Sequence, residues 1–483
     1  MMMTELLIVC LLIWVPVLLY QIGQRGFVIL LIWLFVAPIA SNLVERPSSN
    51  PFLQISAAEE EDSKPKRRRD AYITGETTVR MRELLEPNRL IFGAYLLVFL
   101  LAALKMKKLP VPLDRTEKWM AFFSVLLVAS ALLQSRRTAF GLRVATDAFI
   151  VPFVAYMVAR RFVTTEDRLG KLVKVMGYMG SYVVLICFIE RMIHPGIIYR
   201  LSGPFDKRGA LFIVIMVVFF AVFIDWVSSN STDRKRVLPY AIQIGVLALV
   251  PVIVLFTWTR GIWLGFLLGI WSFAFLGRSM VMWRPKLLIF GLALLLLPVT
   301  VLGVQEFLGA EEVYSRVANT RTIYSRFETY RVMTGEMFRN PMFGIGLNNI
   351  RDVLFEKRHM MSSGIRSYYV SHNSYLSLLV ELGVVGIVGY LGIMATIFRT
   401  GLQVFRMGKH ARDRWRGIAV IAIMLAYLVP AAFDTTLYQT WVPHVYVFVY
   451  FGAIAGLYFP KPSTKATESM KPGETRASVV ATP

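Results

Sequence analysis

The sequence predicts an all-α fold: a polytopic transmembrane helical bundle of about 12–13 spans with one large outer-face loop containing short helices. Three features carry this expectation. The 483 residues are 56% hydrophobic and only 17% charged, and mean hydropathy is +0.56, whereas soluble domains carry about 25% charged residues. Apolar windows of roughly 17–25 residues recur along the chain, each long enough to cross a bilayer as a helix. The basic residues fall in short clusters between those windows, which is how membrane proteins set their orientation.

The windows lie near 5–22, 26–42, 90–106, 118–134, 144–159, 171–193, 209–228, 237–257, 261–277, 286–304, 373–398, 416–433 and 443–459. The first lacks a basic leader and is followed at once by another, so it reads as a span rather than a cleaved signal. Basic connections at 105–118, 160–171, 233–236 and 399–416 are assigned to the cytoplasm. Alternation then puts 194–208, 258–260, 305–371 and 434–442 on the outer face. The chain thus divides into N-terminal spans (1–42), a charged and disordered insert (43–89) and a transmembrane core (90–304). A large outer loop (305–371), C-terminal spans (372–459) and a disordered cytoplasmic tail (460–483) follow.

The formal net charge of +22 is spread over these connections rather than gathered on one soluble domain. It points to topology and anionic lipid headgroups, not to nucleic acid. Cys10 and Cys187 both sit in apolar runs and suggest no disulfide. Five histidines without metal-ligand spacing suggest no metal site. The GxG at Gly344 and Gly346 lacks a surrounding βαβ pattern, so no nucleotide cofactor is expected.

Within the outer loop, Phe327, Tyr330, Met333 and Met337 recur at helical spacing and predict an amphipathic helix. Asn340-Pro341 ends it, and Gly344 and Gly346 mark a tight turn. Glycines at 383, 386, 389 and 392 recur every third residue and read as a packing stripe on the following span.

His372 opens that span. At a helix start, unpaired N–H groups disfavour a second positive charge, so a neutral imidazole there suits proton abstraction from a hydroxyl. Asn373 or Ser374 either orients the ring or caps the helix. Arg260, between two apolar runs, is either a phosphate ligand at the start of the next span or an interfacial anchor. Arg200 and Arg208, in RLSGPFDKRGA, put positive charge just before another span. Arg326 lies on the loop helix. Asp434 stands at the outer end of a late span, either to orient or deprotonate a substrate or as a helix-end carboxylate. Glu381 lies deeper, where an ionisable group needs a partner.

Four stretches, RLSGPF (200–205), TWTRGIWLG (257–265), SRFETYRVMTGEMFRNPMFGIGLNN (325–349) and HNSYLSLLVELGVVG (372–386), together resemble the O-antigen ligase and O-antigen polymerase superfamily of bacterial membrane glycosyltransferases. The resemblance covers about residues 170–460 in order and spacing. It implies a multi-pass protein of the bacterial cytoplasmic (inner) membrane, its active face outward. It further implies metal-independent, inverting transfer of a glycan from a polyprenyl-diphosphate donor to a hydroxyl on a glycan, lipid or protein acceptor. By resemblance His372 acts on the acceptor, Arg260 holds the diphosphate, and Arg200 or Arg208 is the second such arginine. Asp206-Lys207-Arg208 stands where the family often has Asn-Pro-Asn, which leaves that second position open between the two. A flippase for lipid-linked oligosaccharides, a protein O-oligosaccharyltransferase and a structural partner of an assembly machine are the alternatives. The scarcity of mid-membrane ionisable residues weighs against a flippase.

Overall fold

The computed structural model describes residues 22, 25–36, 39, 87–105, 112–193, 201, 203–205, 208–229, 238–257, 259–277, 321–357, 371–438 and 441–459. The expected spans at 5–22 and 286–304, almost all of the insert, and the tail lie outside them. No strand occurs among the described residues. In chain order the helices are α1 Arg25–Val36, α2 Pro87–Lys105, α3 Arg115–Leu133, α4 Thr138–Phe162, α5 Glu166–Ile193, α6 Arg208–Ser229, α7 Tyr240–Phe256 and α8 Arg260–Gly277. Then come α9 Arg321–Arg339, α10 Ile350–Glu356, α11 Ser374–Met407, α12 Ala411–Ala431, a 3-10 turn Thr436–Tyr438 and α13 Trp441–Tyr458. Among the described residues, seven helices are long and apolar enough to cross a membrane, and α1, α2, α7 and α13 add shorter apolar stretches. The protein is a polytopic helical membrane protein, as its hydropathy predicts.

Local chemistry fixes several helix ends. Asp114 and Glu117 form a reciprocal capping box at the start of α3, Asp114 Oδ1 accepting the Glu117 amide at 2.7 Å and Glu117 Oε2 the Asp114 amide at 3.0 Å. In α4 the backbone widens into a π turn at Ala145–Ile150, just ahead of Pro152, which removes one N–H from the helical ladder.

Packing inside lipid depends on close backbone approach rather than on a hydrophobic drive. Gly261, Gly265 and Gly269 form a small-residue stripe along α8 that seats it against α12. A Cβ on Gly261 would stand 2.9 Å from Phe433 Cβ, one on Gly265 2.8 Å from Pro430 Cδ, and one on Gly269 3.2 Å from the Ala422 carbonyl. The two helices therefore run antiparallel, with the start of α8 level with the end of α12. On α13, Gly452 and Gly456 do the same against Tyr156 and Arg160 of α4.

The bundle has two chemically distinct ends. At one, Arg160 and Arg161 each meet the Glu117 carboxylate, at 2.8 and 2.6 Å, and Arg416 grips Glu166 in a fork at 2.6 and 2.7 Å. At the other, the turn between α3 and α4 holds the outer loop. The Asn349 side chain accepts the Arg136 amide at 2.9 Å and donates to the Gln134 carbonyl at 2.9 Å. Arg137 pairs with Asp352 at 3.1 Å, and Leu347 N–H donates to Ser130 Oγ at 3.0 Å.

The loop helix α9 ends at Arg339, directly before Asn340-Pro341. Val332 and Met333 of α9 join Leu354 and Val380 in a small core of their own, with Tyr330 and Met337 against it. Burying a side chain such as Met333 stabilises by about 1.5–3 kcal/mol. Phe327, expected on the same face, is exposed instead.

Candidate active site

The span that opens at His372 is not one continuous helix. Gly383 sits at φ 67°, ψ −167°, which breaks α11 into Ser374–Leu382 and Val384–Met407. A break frees carbonyls before it and amides after it, and lipid cannot satisfy either. The outer loop does so instead. Ile345 and Gly346 amides donate to the Val380 and Glu381 carbonyls, both at 2.9 Å. The Val384 and Val385 amides donate to the Pro341 and Met342 carbonyls at 2.9 and 3.2 Å. Gly344 and Gly346 allow this approach with φ of 71° and 98°. The expected glycine stripe is thus split in function: Gly389 and Gly392 pack on Phe123 and Trp119 of α3, whereas Gly383 is the break itself.

Glu381 is buried at 1% exposure in the turn before that break. Its Oε1 accepts the Ile350 amide at 3.3 Å, and Tyr438 faces it from the 3-10 turn.

The short outer half of α11 carries His372 at its mouth. Asn373 is the N-cap, its Oδ1 accepting the Leu376 amide at 3.0 Å. Of the two roles expected for Asn373, capping is the one its hydrogen bond fills. His372 itself lies at φ 50°, in the left-handed region that a non-glycine residue occupies at a cost of about 1–2 kcal/mol. Its carbonyl accepts the Tyr330 hydroxyl at 3.3 Å, which ties α9 to the site.

The imidazole turns Nδ1 toward Asp434, 3.9 Å from Oδ1. That is ion-pair range and longer than a direct hydrogen bond. Both side chains keep about a third of their surface exposed, at 36% and 37%, so the pair is open to a substrate. Asp434 is held from its own backbone: its carbonyl accepts Ser374 Oγ at 2.8 Å, and Oδ1 accepts the Thr435 amide at 2.8 Å. Burial opposes ionisation of Asp434. The adjacent imidazole, the Thr435 amide and the Arg326 charge outweigh it and hold the carboxyl below its ordinary range.

Arg326 is thereby close enough to act on both Asp434 and Tyr330. Arg260 is the first residue of α8 and is exposed. Its neighbour Gly261 packs on Phe433, which precedes Asp434, so Arg260 stands at the same end of the bundle as the His372–Asp434 pair. Arg208 is the first residue of α6. Arg200 lies outside the described residues; the next residue, Leu201, donates its amide to the Phe256 carbonyl at 3.2 Å, at the end of α7.

Tyr330, Ser374, Glu381 and Gly383 complete the site's support. Tyr330 was legible only as a core position of an amphipathic helix, and Gly383 only as one glycine of a stripe. The Gly261–Gly265–Gly269 spacing in the sequence was the available signal for where Arg260 would sit.

A span broken at Gly383 and seated on the 341–346 turn, with an imidazole–carboxylate pair at its mouth and Arg260 and Arg326 at the same end, forms the candidate site. Residues 244–391 match the family model described as O-Antigen ligase, which supports the resemblance to that superfamily. The matched stretch runs from α7 past the break in α11 and includes Arg260 and His372, while Asp434 lies beyond it. That family is one of glycan transfer. No curated protein matches the chain.

Proposed function

We propose that the protein transfers a glycan from a polyprenyl-diphosphate donor to an acceptor hydroxyl at the outer face of the bacterial cytoplasmic membrane, as a ligase or polymerase of surface polysaccharide. The observation that carries this reading is the His372–Asp434 pair, 3.9 Å apart, at the bundle end opposite the basic connections. Positive connections favour the cytoplasm, so the pair faces outward in this reading.

His372 acts as the base. Asp434 orients the ring through Nδ1, leaving Nε2 to take the acceptor's proton, and it stabilises the imidazolium that results. The acceptor oxygen then bonds to the anomeric carbon while the bond from that carbon to the diphosphate oxygen breaks. Charge grows on the departing diphosphate, and Arg260, with Arg200 or Arg208, holds it; guanidinium groups suit phosphate oxygens because they bind them in a fork. Arg326 supports the Asp434 carboxylate from α9. The 341–346 turn of the outer loop, docked on the break at Gly383, lies on the acceptor side in this reading.

The test is glycan analysis in cells carrying His372→Ala at normal membrane level. Loss of joined glycan with accumulated lipid-linked donor is the expected result. Accumulated full-length polymer identifies a ligase, and accumulated single repeats a polymerase. Unchanged surface glycan, or donor trapped on the cytoplasmic leaflet, rejects the assignment.

A further inference from the structure

The opposite end of the bundle carries a second feature that glycan transfer does not use. A cavity of about 190 Å³ lies between α2 and α4, beside Ile22. Tyr95, Leu96, Val98, Phe99 and Ala102 of α2 face Val154, Met157 and Val158 of α4 across it. Leu96, Val98, Phe99 and Ala102 are only partly buried, so the cavity opens sideways, where lipid lies. An engineered cavity of about 150 Å³ accepts benzene, so this one accepts a short run of hydrocarbon and no more.

Among the described lining residues, the charged group of this apolar cleft is the Arg161 guanidinium. Its Cζ lies 4.6 Å from the centroid of the Phe99 ring, and Nη1 is bound to Glu117 at 2.6 Å and to the Met157 carbonyl at 2.9 Å. Nε and Nη2 are buried with no hydrogen-bond partner, and buried N–H donors are rarely left so. Asp114 and Glu117 balance Arg160 and Arg161, and two further arginines add positive charge to the same rim. Arg168 donates to the Phe162 carbonyl at 2.8 Å. Arg25 precedes Gly26, whose missing Cβ lets Phe162 approach.

From this charge complementarity we infer that the cleft binds one anionic phospholipid of the leaflet at the basic end, its phosphate on the Arg161 guanidinium and part of one acyl chain in the cavity. Phosphate oxygens suit the two vacant donors, and anionic headgroups are concentrated at a membrane's basic-facing surface. The inference is independent of the transfer chemistry, since none of these residues belongs to the outer site.

The test uses the full chain, purified in detergent and stripped of lipid. Phosphatidylglycerol is added, with phosphatidylcholine and inorganic phosphate as separate arms, and bound lipid is read by native mass spectrometry alongside Tm. Retained phosphatidylglycerol with a concentration-dependent rise in Tm, absent for the other two, is expected. Arg161→Gln weakens that retention about tenfold or more, the loss of a charge-assisted hydrogen bond. Because Arg161→Gln also loosens Glu117, Ala102→Phe serves as the second variant: it fills the cleft, leaves Arg161 intact and removes the lipid effect. Equal retention of phosphatidylcholine, an equal Tm rise with phosphate alone, or an undiminished effect in Ala102→Phe overturns the proposal. So does crosslinking from position 99 that captures residues 1–21 of the chain in place of lipid.

Discussion

Met342 and Gly383 meet backbone to backbone: a Cβ on Gly383 would stand 2.2 Å from the Met342 carbonyl oxygen. Gly344 makes the converse contact, where a Cβ would come within 2.3 Å of the Glu381 carbonyl carbon. The outer loop and the broken span are thus seated in each other, and neither glycine has room for a side chain. Gly383→Ala would meet this clash and a φ of 67° with ψ −167°, a conformation essentially reserved for glycine that by itself costs about 1–3 kcal/mol. The expected outcome is a folded bundle with a lowered Tm and little glycan transfer. Detergent Tm and glycan analysis on one preparation check it.

The His372–Asp434 pair predicts unequal losses. His372→Ala removes the base and should lower turnover about 10²–10⁴-fold. Asp434→Asn keeps the ring but loses the charge that orients it, and a smaller loss is expected. Turnover of purified lipid-linked donor, measured for both variants, ranks them. A larger effect from Asp434→Asn would move the base to the carboxylate.

Asp434 also sets a pH expectation. Its carboxyl sits below the ordinary value near 3.8, so the folded state binds its proton less readily than the unfolded chain. The stability it contributes is therefore fully present above that ordinary value and lost only as pH falls through the lower folded one. Between about pH 7 and pH 5 the Tm difference between the native protein and Asp434→Asn should not shrink, the native carboxylate being ionised throughout. A difference that shrinks across that interval would show Asp434 titrating there.

At the basic end, Arg416 is 3% exposed and held in a two-point grip on Glu166. Arg416→Ala leaves Glu166 41% exposed and still paired with Arg412 at 3.3 Å, so it removes packing without burying a lone charge. Glu166→Gln instead takes the carboxylate from the buried guanidinium, and the larger loss, about 3 kcal/mol, is expected from it, read as a lower Tm.

Asn349 ties the loop to the α3–α4 turn through two hydrogen bonds of its side chain, with Arg136 and Gln134, while a third, to the Ile345 carbonyl, stays within the loop. Asn349→Ala leaves the buried groups on both sides unmet, at about 1–3 kcal/mol each. Faster protease cleavage within 321–357 is expected, with the spans intact, and limited proteolysis followed by mass mapping tests it.

The sequence by itself determined the membrane, most of the spans and the end of α9 at Asn340-Pro341, and it placed His372 directly before a span, because these follow from local hydropathy, charge and turn chemistry. The family resemblance was legible in the same way, since the stretches 257–265, 325–349 and 372–386 are contiguous. Tertiary structure decided three things. It made Gly383 a break rather than one more packing glycine, because the four backbone groups freed there are met only by a loop some forty residues earlier. It brought Asp434 to His372, 62 positions away in the chain, through Ser374 holding the Asp434 carbonyl. It carried Arg260 to the same end through Gly261 against Phe433. Hydropathy reports what each residue wants for a neighbour; which residue that neighbour is depends on how close two backbones can come.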